Sequence, residues 1–111
     1  MAVLLLTVGL SGCNEQSSNS GNIQIDSHTT RYWGNAIEVY GTVKNVADKN
    51  IDYAEVTVKF YDKDNELLIT KNDQVQYIGN GATKSFSVSY YNDERYFDQY
   101  DHYTVSVWSR E

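Results

Sequence analysis

The chain has 111 residues, enough for one domain, and 41% of them are hydrophobic, as in an ordinary folded protein. Its 15 acidic and 9 basic residues give a formal net charge of −6. Nucleic-acid binding requires Lys and Arg to neutralise phosphates, so this balance argues against a nucleic-acid partner. It also argues against attachment to anionic lipid by charge alone. The single cysteine excludes an intrachain disulfide.

The N-terminal residues read as an export signal. Residues 2–10, AVLLLTVGL, are apolar and uncharged, too short for a membrane-spanning helix of about 20 residues but as long as the apolar region of a signal peptide. They run into Leu10-Ser11-Gly12-Cys13, which resembles the lipobox of prokaryotic lipoproteins. The resemblance implies that residues 1–12 are removed and that Cys13 carries diacylglycerol. The alternative is an apolar N-terminal strand with a free thiol.

A small polar tract follows the cysteine. Residues 14–22, NEQSSNSGN, include no apolar side chain, a composition typical of a flexible linker. We therefore expect residues 13–22 to comprise the lipidated Cys13 and a tether to the folded domain. An anchor of two acyl chains holds a protein stably on a membrane.

Residues 23–111 show repeated short runs in which apolar and polar side chains alternate, the pattern of half-buried strands. In the clearest run, Val56, Val58 and Phe60 alternate with polar residues, and turn-forming residues 62–65 follow. Comparable runs cover residues 37–43, 67–70, 75–78, 86–90 and 102–108. Asn72-Asp73 is expected to separate two strands, and Gly41, on the apolar face of its strand, predicts a close backbone approach or a bulge.

These runs predict the fold class. Proline is absent, tyrosine is abundant at 10 residues, and no segment shows a sustained helical period. Residues 23–33 are expected to form one long, irregular edge strand. The pattern predicts a single all-β domain over residues 23–111, an antiparallel immunoglobulin-like β-sandwich of about seven strands.

Residues 39–90 carry a resemblance to a known family. One strand ends in Gly41, Val43 and Asn45, and another reads VKFYD over residues 58–62. A glycine turn at Gly81 then precedes a strand with Phe86. This resembles the FxLYD domain of prokaryotic secreted and lipid-anchored proteins. At positions 58 and 60 the apolar residues Val58 and Phe60 stand where the family pattern has other apolar residues. The resemblance implies a small immunoglobulin-like sandwich, and it implies no catalytic residue.

The candidate binding surface lies in a tyrosine-rich acidic segment. Residues 92–101, NDERYFDQYD, are expected to form a helical turn or an ordered loop. Tyrosine offers a large contact area with a polar tip and is enriched at interfaces. The candidate residues are Tyr91, Tyr96, Phe97 and Tyr100. The alternative is that these rings cap the sandwich, with Tyr103 bonding back to the preceding loop as a tyrosine corner does.

Metal and catalytic sites are weakly indicated. Asp62, Asp64 and Glu66 resemble part of a calcium loop but lack the glycine and glutamate that complete one, so we expect a solvated turn. The two histidines, His28 and His102, have no metal-ligand spacing, and no catalytic motif is present. We therefore expect no metal, no cofactor and no enzymatic activity.

The sequence as a whole predicts a lipoprotein on the extracytoplasmic face of the cell membrane, with a non-catalytic interaction or structural domain. Its expected partners are the membrane, through Cys13, and an envelope protein or glycan. The first alternative is a lipoprotein that binds a peptide or glycan through the tyrosine-rich acidic segment. A small enzyme or a metal carrier is the less favoured alternative.

Overall fold

The computed structural model describes residues 16–18 and 21–110. The predictions for residues 1–12 and for Cys13 therefore lie outside the described residues. The described residues form seven strands, β1 (Gln16–Ser18), β2 (Ile23–Trp33), β3 (Ala36–Asn45), β4 (Ile51–Tyr61), β5 (Leu67–Ile78), β6 (Thr83–Tyr91) and β7 (His102–Arg110), and one 3-10 helix (Phe97–Gln99). Strand β1 lies inside the segment that the sequence suggested is a tether.

The strands form two sheets. Sheet I has the order β1-β7-β4-β5, and sheet II has the order β2-β3-β6. All neighbours are antiparallel except β1 and β7, which run parallel. The orders β2-β3-β6 and β7-β4-β5 match strands A-B-E and F-C-C′ of an immunoglobulin-like sandwich. The predicted all-β sandwich is confirmed.

The core lies between the sheets and follows from the alternation in the sequence. On β4, Ala54, Val56, Val58 and Phe60 are buried while the intervening side chains face outward. They meet buried residues of sheet II, chiefly Val39, Val43, Phe86, Val88 and Tyr90. The Phe60 ring lies 5.0 Å from Tyr90 and 5.7 Å from Tyr100, centroid to centroid, so one end of the core is aromatic.

Gly41 permits a bulge in the edge strand β2. The pairing of β2 with β3 shifts by one residue between Ile25 and Ser27. A Cβ atom on Gly41 would lie 1.9 Å from the carbonyl oxygen of Ser27 and 2.9 Å from Cα of His28, both backbone atoms. Only glycine fits at this contact, and the predicted bulge and long, irregular edge strand are both confirmed.

Strand β5 differs from the sequence-based prediction. We expected Asn72-Asp73 to separate two strands, and this prediction is wrong, because β5 is continuous over Leu67–Ile78. The side chain of Asp73 explains the difference, since its Oδ2 accepts a hydrogen bond of 2.9 Å from the backbone N–H of Ser87 on β6. Asp73 therefore ties the edges of the two sheets together instead of ending a strand.

Asn45, at the end of β3, joins the connections at one end of the sandwich. Its side chain is fully buried. Its Nδ2 donates to the carbonyl oxygens of Lys49 (2.7 Å), Ile78 (2.9 Å) and Gly79 (3.1 Å), and its Oδ1 accepts from the N–H of Ala47 (2.8 Å). One amide thus satisfies backbone groups of both the β3–β4 connection and the β5–β6 turn.

We expect Asn45→Ala to destabilise the fold by about 2–4 kcal/mol, because each buried polar group that loses its partner costs about 1–3 kcal/mol. Asn50→Ala is the matched control. Asn50 accepts one exposed hydrogen bond of 3.0 Å from the N–H of Asn80, and its loss is expected to cost less than about 1 kcal/mol. Urea unfolding of both variants measures the difference, and equal midpoints would contradict this role for Asn45.

Candidate functional site

Three connections meet at the end of the sandwich opposite Asn45: the β2–β3 turn, the β4–β5 turn and the β6–β7 segment. The N–H of Asn92 donates to the carbonyl oxygen of Asn35 (2.7 Å), and the N–H of Asp101 donates to that of Tyr61 (2.8 Å). Exposed aromatic side chains lie here: Tyr32 (74% exposed), Trp33 (54%), Tyr91 (40%) and Tyr96 (49%). We call this end, formed by residues 32–35, 62–66 and 91–101, the aromatic end.

The β6–β7 segment is ordered by side-chain hydrogen bonds. The buried Tyr90 donates from its hydroxyl to the carbonyl oxygen of Arg95 (2.6 Å). The carboxylate of Glu94 accepts from the N–H of Tyr91 (2.9 Å) and from Nζ of Lys71 (2.6 Å). Burial opposes ionisation of Glu94, but these two hydrogen bonds outweigh it and lower the pKa of the carboxyl. The segment is thus an ordered loop with one 3-10 turn, as expected.

The bond from a tyrosine back to this loop comes from Tyr90. The alternative in which the rings cap the sandwich assigned such a bond to Tyr103, and the hydroxyl of Tyr103 lies 2.7 Å from Nδ1 of His28 on β2, with the two rings edge to face. Burial lowers the pKa of His28, which favours the neutral imidazole in this pair. Tyr103 therefore joins β7 of sheet I to β2 of sheet II.

The four candidate binding residues fall into two pairs. Tyr91 and Tyr96 are exposed, and Tyr96 has a left-handed backbone with φ of 65°. Phe97 and Tyr100 are half-buried and pack against the core, with the Phe97 ring 5.0 Å from the Tyr90 ring. The structure thus places Phe97 and Tyr100 as caps on the core and leaves Tyr91 and Tyr96 open to a ligand.

Sequence reasoning missed a second part of this region, on the outer face of sheet II. Cross-strand pairing places Trp33, Ala36 and Tyr91 in one row across the three strands, and Arg31, Glu38 and Ser89 in the next outward-facing row. Tyr91 and Ser89 are distant in sequence from the other two members of their rows, so only the register of β3 with β6 brings them together. A tryptophan directly before the Gly-Asn turn was the one signal available in the sequence.

Glu38 is only 8% exposed although it lies on the outer face. Its Oε1 accepts from Nε of Arg31 (2.6 Å), and its Oε2 accepts from the hydroxyl of Ser87 (2.8 Å). The hydrogen bond from Arg31 is the main reason that the pKa of Glu38 is lowered; Ser87 and, more weakly, the Trp33 side chain act in the same direction, against burial. Arg31 also stacks over the Tyr40 ring at 4.6 Å.

Negative charge is concentrated at the aromatic end. Residues 62–66 hold three carboxylates and one lysine, and residues 92–101 hold four carboxylates and one arginine, so these two segments account for −5 of the net charge of −6. They line a shallow cleft of about 370 Å³. Oδ1 of Asp62 accepts from the N–H groups of Asp64 and Glu66, which makes this a hydrogen-bonded turn. Residues 16–18 and 21–110 hold no cluster of side chains suited to a metal ion.

The remaining histidine belongs to the same end. His102 stacks on the ring of Tyr61 at 5.3 Å, and its Nδ1 lies 2.9 Å from Oδ2 of Asp101.

In the part of the chain that the structure describes, no helix is long and apolar enough to cross a membrane.

We expect acid to weaken the Glu38 contacts. Because the pKa of Glu38 is lower in the folded than in the unfolded protein, its contribution to stability is complete above the unfolded value of about 4.3 and is lost as the pH falls further. Glu38→Gln should therefore have a lower urea midpoint than the wild type at pH 7. Between pH 7 and pH 3, the midpoint of Glu38→Gln should fall by less than that of the wild type. Glu66→Gln, in an exposed turn, should follow the wild type. Parallel pH profiles for the wild type and Glu38→Gln would contradict the prediction.

Comparison with known proteins supports the fold alone. No family model matches the chain, and no curated protein matches it significantly. The FxLYD resemblance therefore rests on its motif residues. A DUF1425 family member from Shewanella sp. PV-4 is similar in structure, with a TM-score of 0.56 and 11% identity over 80% of this chain and 77% of its own. IrmA from Escherichia coli is similar with a TM-score of 0.52 and 14% identity over 80% of this chain and 75% of its own. The protein is thus a small β-sandwich similar in fold to DUF1425 and IrmA proteins.

Proposed function

We propose that the protein is a non-catalytic binding domain of the FxLYD type, anchored through Cys13 on the extracytoplasmic face of the cell membrane, and that it binds its partner at the aromatic end. One observation carries the proposal: four of the six exposed aromatic side chains among the described residues lie at this one end. Exposed apolar area concentrated in one place marks interaction surfaces.

The aromatic end is rigid enough to bind without a large ordering cost. Tyr91 is fixed through its N–H by Glu94, which is held in turn by Lys71, and Tyr90 fixes the loop at Arg95. A surface ordered before binding loses little conformational entropy when a partner docks, so more of the contact energy appears as affinity.

The titratable groups favour binding over catalysis. A general acid that works near neutral pH needs a carboxyl with a raised pKa. Glu38 and Glu94 instead have lowered pKa values, because each is hydrogen-bonded to a basic side chain. The polar contacts of the two histidines are with the Tyr103 hydroxyl, for His28, and with the Asp101 carboxylate, for His102.

Photo-crosslinking in intact cells tests the binding surface. A photoreactive phenylalanine analogue at Tyr96 is expected to yield a specific adduct, whereas the same probe at Tyr77 yields none. Tyr77 is a matched control because it is also an exposed tyrosine with positive φ (60°, against 65° for Tyr96) and lies on β5 near the opposite end. The same adduct at both positions, or none at either, would overturn the proposed surface.

Mass spectrometry tests the anchor separately. The protein extracted from membranes is expected to begin at Cys13 with diacylglycerol on its sulfur, and Cys13→Ser is expected to retain residues 1–12. A free thiol at Cys13 in the native protein would overturn lipidation and leave the binding surface unaffected.

A further inference from the structure

The outer face of sheet II carries an aromatic platform at the aromatic end. Trp33, Ala36 and Tyr91 form one row, so the two rings flank a methyl group. Ala36 faces outward yet is only 4% exposed, which means that neighbouring side chains cover it. Trp33 and Tyr91 are about half exposed, as expected for rings that lie against the sheet and show one face to solvent.

The spacing of the two rings is fixed by the sheet. Trp33 and Tyr91 belong to the outer strands of a three-stranded sheet, so their Cα atoms are separated by two interstrand spacings, about 10 Å. In an extended β-1,4-linked sugar chain every second pyranose presents the same face, and two pyranose rings in line cover a similar distance, so the two aromatic rings match alternate sugars.

The rows beside the platform offer neutral hydrogen-bonding groups. Moving away from the rings, they contain Arg31, Glu38 and Ser89, then Thr29, Tyr40 and Ser87. The only two charges in these rows cancel each other, since Arg31 and Glu38 form an ion pair at 2.6 Å. Hydroxyls beside aromatic faces suit a ligand whose rings have apolar faces and hydroxylated edges.

Building on the proposed function, we propose that the ligand is a neutral, extended β-1,4-linked glycan that lies across sheet II, with alternate sugars stacked on Trp33 and Tyr91. The surrounding charge selects against anionic polymers, because the neighbouring segments 62–66 and 92–101 account for −5 of the net charge. The hydrogen bond from Nε of Arg31 to Glu38 holds the guanidinium beside the platform.

Tryptophan fluorescence gives a direct test, because the chain has only two tryptophans. The full-length protein is used in a detergent without a sugar headgroup, and cellohexaose is the probe. In Trp108→Phe, where Trp33 is the only tryptophan, cellohexaose is expected to shift the emission. In Trp33→Phe, which reports from Trp108 on the outer face of sheet I, no shift is expected. Maltohexaose, which has the same sugars in a curved α-linked chain, is expected to bind at least tenfold more weakly.

A second variant distinguishes a direct role of the Tyr91 ring in binding from a general loss of stability. In the Trp108→Phe background, Tyr91→Ala is expected to weaken cellohexaose binding at least tenfold, and Tyr91→Phe, which keeps the ring, is expected to restore it. No shift with cellohexaose, an equal response to maltohexaose, or unchanged binding by Tyr91→Ala would overturn the glycan proposal. A shift of the Trp33 emission with an oligolysine peptide, without a shift with cellohexaose, would overturn the glycan proposal in favour of a basic peptide ligand. If the Tyr96 crosslink forms in any of these cases, the proposed binding surface stands and only the ligand class fails.

Discussion

The buried amide of Asn45 is the contact on which the arrangement of this protein depends. It bonds the β3–β4 connection and the β5–β6 turn to the end of β3, and β3 is the central strand of sheet II. A slip of one residue in a strand moves every side chain to the opposite face. On β3 such a slip would bury Glu38 in the core and expose Ile37. The row of Trp33, Ala36 and Tyr91 at the far end of the sheet therefore relies on a register that Asn45 helps to fix.

The sequence was informative where a rule acts locally. Alternation at Val56, Val58 and Phe60 predicted their burial, and Gly41 predicted the bulge because a side chain on the core face of a strand is omitted only for a steric reason. Asn45 and Asp62, two residues that carry the FxLYD resemblance, also act locally. The side chain of each accepts hydrogen bonds from backbone N–H groups of the turn that follows it. Such residues explain a fold and say little about a ligand.

What could not be predicted depends on contacts between distant segments. In the sequence, Asp73 resembles a turn residue. Its role depends on a hydrogen bond from the N–H of Ser87, which lies on the edge strand of the other sheet. Only Tyr103 was considered for a bond to the preceding loop, and the structure shows that the Tyr90 hydroxyl donates such a bond to Arg95. Glu38 showed no functional signal in the sequence, and Trp33 showed only its position before the Gly-Asn turn. The register that aligns these two residues with Tyr91 and Ser89 is a property of the whole sheet.

The pairing of β1 with β7 also has a mechanical consequence. Gln16 lies opposite Thr104, near the start of β7, and β1 runs parallel to β7 away from the aromatic end. Cys13 is three residues before Gln16, a span of at most about 10 Å, so tension on the proposed anchor at Cys13 would reach the domain first through β1. The pairing of β1 with β7 would thus bear force before the other strands of the sandwich do.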